Sequence, residues 1–240
     1  MNNNEVNNKC GIGNPAPDQN QIPDMTPLVL DDRYNTRLLL VRHGESLGNA
    51  VRLFLGHTDL DLSDRGHGQA KRTADYLSSV HIDAIYSSDL LRAISTARPN
   101  AELHSLGITP YPGLREMFVG EWEGRYVSDI IDTYGTYFTE EWTENFYTFR
   151  GAPGGESCAE LADRISRALL DIAKANLGKT VLVTFHAAAI RAFWGRLLLS
   201  LGQGIEDVGF PANASVSVLY FDGERFIPGE YSRAEHLRDL

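Results

Sequence analysis

Apolar residues along this chain follow two rhythms. Short unbroken runs, of the kind required by strands covered on both faces, occupy 37–42, 84–86, 109–111, 180–185 and 215–220. Between them, 66–79, 89–106 and 158–176 repeat apolar positions at helical spacing. Strand and helix in alternation predict an α/β fold with a mostly parallel central sheet flanked by helices on both faces. In such sheets ligands collect outside the carboxyl ends of the strands. Two of the predicted strands run out into an imidazole at that end, His43 after Leu38-Leu39-Leu40-Val41-Arg42 and His186 after Val181-Leu182-Val183-Thr184-Phe185. Ser88 is the expected N-cap of the helix that carries Arg92, with Asp89 in its first turn, which points Arg92 toward the same crevice.

Composition narrows the class. A chain of 240 residues, 42% hydrophobic, can bury one substantial core. Its formal charge of −10 argues against a nucleic acid or an anionic membrane as partner, because counterion release needs a cationic face. Any phosphate site must then be built locally. Cys10 and Cys158 lie far apart and give neither a metal-ligand spacing nor a disulfide framework, so a reducing cytoplasm is the expected setting. Residues 1–36 are rich in Asn, Asp, Pro and Gln, lack a basic-then-apolar leader pattern and read as a flexible N-terminal arm, with 23–30 docking on the domain as the alternative. No apolar segment approaches the roughly 20 residues needed to cross a bilayer.

Chemistry concentrates at Arg42-His43-Gly44-Glu45-Ser46. Arg42 offers a fork of donors to phosphate oxygens. His43 brings a nitrogen that is uncharged and nucleophilic near neutral pH, and Gly44 lets the backbone turn and approach closely. Further blocks follow in order: Asn49; Gly56-His57-Thr58-Asp59-Leu60-Asp61-Leu62-Ser63; Ser87-Ser88-Asp89-Leu90-Leu91-Arg92-Ala93; Leu114-Arg115-Glu116 with Gly120-Glu121-Trp122; Pro153-Gly154-Gly155-Glu156-Ser157; and Phe185-His186.

From about Arg37 to Tyr220 these blocks resemble the histidine phosphatase superfamily, the phosphoglycerate-mutase-like proteins. The resemblance implies that fold with a helical cap insertion at about 125–150, one phosphatase domain over 37–240, and metal-independent hydrolysis of phosphate monoesters with no cofactor. It makes His43 the residue phosphorylated, its other ring nitrogen held by backbone. Arg42, Arg92 and His186 then form the positive pocket, Asn49 adds a polar contact, and Glu116 is the proton donor to the leaving oxygen. Glu45, Glu121 and Glu123 are rival acids. Gly44, Ala187, Phe118 and Trp122 are the further expected substrate contacts. His57, His67, His81, His104 and His236 have no partner pattern and are expected on the surface or in packing.

Two departures carry weight. The family most often has a small hydroxyl residue, His, Gly, Gly where this chain has Phe185-His186-Ala187-Ala188; those alanines open a helix whose amides would still favour an anion. Met117 and Phe118 follow Glu116 where the mutase branch carries basic and aromatic residues, which favours hydrolysis over transfer. Residues 126–149 are rich in aromatics, acidic, and free of Lys and Arg, so a second phosphate there would lack a counter-charge. The expected substrate is a small monophosphate ester with an apolar or aromatic part. A phosphoglycerate mutase, a dedicated phosphatase such as one for α-ribazole phosphate, and a catalytically weak phosphate-recognition module are the alternatives, and a homodimer is left open.

Overall fold

The structure, a computed structural model, describes residues 28–240. Six strands, β1 (Thr36–Arg42), β2 (Ala84–Ser87), β3 (Ile108–Pro110), β4 (Thr180–Phe185), β5 (Val216–Phe221) and β6 (Phe226–Pro228), form one sheet in the order β3-β2-β4-β1-β5-β6. β1, β2, β3 and β4 run parallel, and β5 is antiparallel to both of its neighbours. The helices are α1 (Leu47–Ala50), α2 (Asp64–Tyr76), α3 (Leu91–His104), α4 (Val127–Tyr134), α5 (Cys158–Ala175) and α6 (Ala187–Ser200).

Side-chain alternation along the strands divides the core. Leu38, Leu40, Val181 and Val183 point to the face covered by α5 and α6. Leu39, Val41 and Leu182 point to the face covered by α2 and α3. β1 and β4 are the middle strands, buried on both faces, which is why their sequences are unbroken apolar runs. β6 was not expected: three half-buried residues pairing with β5 are too few to print a pattern.

Residues 28–36, expected as part of the arm, pack against the α2/α3 face. Leu28 is buried there, the rings of Tyr34 and Tyr220 lie 5.0 Å apart, and Asp31 N donates to the Tyr220 hydroxyl at 3.0 Å. The rest of the expected arm, including Cys10, lies outside the described residues. Residues 125–150 hold α4, a π-helical turn (Phe138–Glu144) and a 3-10 turn (Phe146–Thr148). Phe138, Phe146 and Phe149 are fully buried in the α5/α6-side core, so most of the cap's aromatics serve packing. Among the described residues no helix is long and apolar enough to cross a membrane.

Candidate active site

Register alone brings the two imidazoles together. β1 and β4 pair with Arg42 opposite Phe185, and His43 N extends the ladder by donating to Phe185 O at 2.9 Å. Neighbouring strands lie about 4.8 Å apart, so the residues that follow leave the sheet side by side, and the His43 and His186 rings end with centroids 5.2 Å apart. β2 ends in step with β4. Ser88 N donates to Thr184 O at 2.9 Å, which sets the Ser88 hydroxyl 2.8 Å from His186 Nε2.

That pairing corrects the expected cap. Ser88 is still in the ladder and its hydroxyl faces His186, so α3 begins at Leu91 with Leu90 at the N-cap and no side-chain cap from it. The free amide of Leu91 is met instead by Asp59 Oδ1 at 2.7 Å, while Asp89 forms a two-pronged ion pair with Arg115 at 2.8 and 2.6 Å. Arg92 is nevertheless where it was expected. It is 1% exposed and donates to Thr58 O at 2.9 Å and Gly56 O at 2.8 Å. Those partners are neutral carbonyls, which orient the guanidinium without cancelling its charge.

His43 Nδ1 lies 2.6 Å from Gly44 O. A carbonyl can only accept, so Nδ1 carries the proton and Nε2 keeps a bare lone pair. Gly44 acts through backbone: its amide donates to Thr96 Oγ1 at 2.9 Å, and a Cβ would sit 2.6 Å from Gly66 O. Burial, reinforced by Arg92 and Arg42, holds the His43 pKa well below the ordinary 6.5. Burial does the same for His186, helped by Arg92, His43, Arg164 and His57. The positive charge of the site is therefore that of the two guanidiniums, and His186 is a neutral member. Burial brings Arg42 down to about 10, still charged near neutrality, and it donates to Pro211 O at 2.6 Å.

Asn49 forms a reciprocal cap with Ser46, each main-chain amide donating to the other's side chain at 3.1 Å. Its Oδ1 is thereby used, leaving the Nδ2 donor. Glu116, 8% exposed, sits on the amino end of α6, taking Met117 N (2.9 Å) and Ala189 N (3.0 Å) on Oε1 and Ala188 N (3.1 Å) on Oε2. The anion favoured by those amides is thus the chain's own carboxylate. Burial nonetheless raises its pKa above the ordinary 4.5, outweighing the amides of Met117 and Ala188, Arg92 and the amide of Ala189. The rival acids are spent elsewhere. Glu45 binds Ser63 Oγ (2.7 Å) and Arg65 (3.1 Å), Glu123 ties down His57 N (2.7 Å) and Thr58 N (3.0 Å), and Glu121 meets the Tyr134 hydroxyl at 3.2 Å.

Arg42, His43, Asn49, Arg92 and Glu116 line one small cavity of about 50 Å³ with Ala187 and Ala188. The remaining wall is apolar: Leu53, Phe54, Leu55, Val119, Trp142 and Phe210. His186 is fully buried against His43 and is not part of that wall. Two expected contacts are corrected. Trp122 is fully buried among Phe54, Phe138 and Phe149, at 5.3 to 5.7 Å between rings, so it builds the core behind the wall. Phe118 is 41% exposed, beside the His57 ring at 5.3 Å, and lies outside the cavity. His57, expected to be without a partner, donates from Nε2 to Glu116 O at 3.0 Å.

Sequence reasoning missed the loop residues of the wall and Asn213, whose Nδ2 donates to His43 O at 3.1 Å and reaches Asn49 Oδ1 at 3.5 Å. Only the Pro-containing turn around Phe210-Pro211 signalled a loop there. Among the described residues no three His, Cys, Asp or Glu side chains gather into a group that could hold a metal ion.

A mostly parallel sheet that brings a histidine with its Nε2 unprotonated, two buried guanidiniums and a carboxyl to one cavity has the α/β architecture and the groups that phosphoryl transfer through a histidine requires. The chain belongs to the histidine phosphatase superfamily (branch 1), whose model matches residues 38–231. It is 35% identical over 193 residues to phosphoserine phosphatase 1 of Hydrogenobacter thermophilus, a match covering 79% of this chain and 88% of that protein. A metal-independent phosphoserine phosphatase of Arabidopsis thaliana is 33% identical over 211 residues, 85% of this chain and 84% of that one. Among solved structures, a mycobacterial glucosyl-3-phosphoglycerate phosphatase superposes with a TM-score of 0.71 at 27% identity, covering 83% of this chain and all of that one.

Proposed function

We propose that this enzyme hydrolyses small phosphate monoesters without a metal, through a phosphohistidine on His43. One observation carries the reading: Nδ1 of His43 is fixed on Gly44 O, which leaves Nε2 unprotonated, and His43 lines one cavity with Arg42, Arg92 and Glu116. The Nε2 lone pair attacks phosphorus, the ester P–O bond breaks, and the leaving oxygen takes its proton from the Glu116 carboxyl. Oε1 accepts two amides and Oε2 only that of Ala188, so Oε2 is the oxygen with room for the proton. In the second step water attacks phosphorus, Glu116 accepts its proton, and the P–N bonding pair returns to Nε2. Arg42 and Arg92 oppose the charge spread over the equatorial oxygens. His186, behind His43 and held by Ser88 at Nε2, backs the nucleophile from outside the cavity.

Residues 37–240 form the catalytic domain in this reading and 125–150 its cap, which contributes Trp142 to the wall. The apolar wall supports a compact ester with an apolar or aromatic part. A second reading, phosphoserine as substrate, is favoured by the two relatives that carry that activity in their names.

An ester panel with chelator present tests both. Aryl monophosphate, phosphoserine, fructose 2,6-bisphosphate and phosphoglycerates are compared by kcat/KM, and phosphoglycerate interconversion is followed in parallel. Hydrolysis of a monophosphate undiminished by chelator is expected. A preference for the bisphosphate overturns the substrate class, and faster interconversion than hydrolysis makes the enzyme a mutase.

A further inference from the structure

The geometry points to Arg164, locked by Glu156, as a positioning residue that aims Glu116 at the leaving oxygen. This rests on the proposed acid role of Glu116. The segment that carries Glu116 follows a single 3-10 turn (Pro112–Leu114) and joins no strand, so its buried carbonyls need partners from elsewhere. Arg164, on α5, supplies them. It donates from Nη1 to Gly113 O at 3.0 Å and Arg115 O at 2.8 Å, and from Nη2 to Glu116 O at 3.1 Å. Its remaining donors go to Glu156, Nε to Oε1 at 2.9 Å and Nη2 to Oε2 at 2.7 Å. A guanidinium has five N–H donors in a fixed fork, and here each has an acceptor.

Glu156 also grips the chain on the far side of the acid. Its Oε2 accepts from Phe118 N at 3.3 Å and its own amide donates to Phe118 O at 2.7 Å. Residues 113–118 are thus held from both ends, with His57 adding a second donor to Glu116 O. The Glu116 side chain is seated by the amides of α6, and its main chain by Arg164; both anchors are needed to fix the carboxyl relative to His43. The Gly154-Gly155-Glu156-Ser157 block gains a role here. Ser157 caps α5, and Glu156, one residue earlier, meets Arg164 two turns into that helix. Lysine, a point charge with three donors, cannot reproduce the fork.

Leaving-group dependence separates aiming from mere support. Arg164→Met, Arg164→Lys, Glu156→Gln and Glu116→Gln are compared on phosphoserine and p-nitrophenyl phosphate, whose phenolate leaves with little need of an acid, with Tm measured alongside. A misplacement near 1 Å costs on the order of 10²-fold in rate. Arg164→Met is therefore expected to lower kcat for phosphoserine by about 10- to 10²-fold, with a much smaller fall for p-nitrophenyl phosphate and little change in KM. Lysine does not rescue it, Glu156→Gln shows a weaker loss of the same selectivity, and adding Arg164→Met to Glu116→Gln changes the alkyl-to-aryl ratio no further. Equal losses on both substrates, rescue by lysine, or a further change of ratio in the double variant overturns the proposal. If Arg164→Met does not fold, the ratio in Glu156→Gln decides. A selective Glu116→Gln beside an unselective Arg164→Met sinks the positioning role alone; an unselective Glu116→Gln sinks the acid role and the positioning role with it.

Discussion

His43 and Glu116 are pushed in opposite directions by the same burial. The imidazole is held below its ordinary range and so is neutral in mildly acid solution, and the carboxyl is held above its own range and so keeps its proton longer. Attack needs the first group without a proton and leaving-group protonation needs the second with one. For the free enzyme, kcat/KM on an alkyl phosphate is therefore expected to fall as pH rises through the raised Glu116 value, and to fall on the acid side only below the ordinary histidine range. Glu116→Gln should remove the alkaline limb and slow alkyl phosphates by about 10² to 10⁴, with less effect on aryl esters. A pH–rate profile of both proteins checks this; an unchanged alkaline limb in the variant removes Glu116 from the role. At this scale the polar groups were legible, since Arg42, His43, Arg92 and Glu116 each stand in a recognisable setting. His186 was legible in place but not in charge, because its neutrality follows from burial beside Arg92, which sequence does not display.

Helices and strands were legible in proportion to how completely they are buried. β1 and β4 print unbroken apolar runs, whereas β6 is half exposed and prints nothing. The amino end of α3 was misread for a different reason. Its cap comes from Asp59, 32 residues upstream, and no local pattern announces a partner so distant. The same loop offers Gly56 O and Thr58 O to Arg92, so the cap also fastens the carbonyls that orient the Arg92 guanidinium at the cavity. Asp59→Ala should cost about 1 kcal/mol of stability, as lost caps commonly do, and raise KM for any monophosphate. Asp59→Asn keeps an acceptor and should stay near the parent in both. Thermal melts with steady-state kinetics test the pair, and an unchanged KM in the alanine variant would show that the loop holds Arg92 without its cap.

Across the whole molecule, the order of strands converts three distant stretches of sequence into one site. β2, β4 and β1 are adjacent and parallel, so the residues that follow them, Ser88, His186 and His43, emerge in a row above the same edge. Alternation of strands and helices foretold a parallel sheet, and with it the shared edge; the adjacency itself rested on family resemblance. The apolar wall was not legible. Leu53, Phe54, Leu55, Val119 and Phe210 come from loops with no periodicity, and of the aromatics of 126–149 only Trp142 reaches the wall, Phe138, Phe146 and Phe149 being buried in the core and Tyr126 and Tyr137 exposed. A formal charge of −10 belongs to the chain as a whole, so composition gave no sign of the two guanidiniums gathered at the cavity. The central claim is that phosphorus passes through Nε2 of His43. Enzyme turning over p-nitrophenyl phosphate, quenched in alkaline denaturant where a P–N bond survives, should carry one phosphoryl group on His43 by intact and peptide mass, and His43→Ala should carry none and be inactive. Turnover with no labelled enzyme, a label on another residue, or an active His43→Ala would contradict the account.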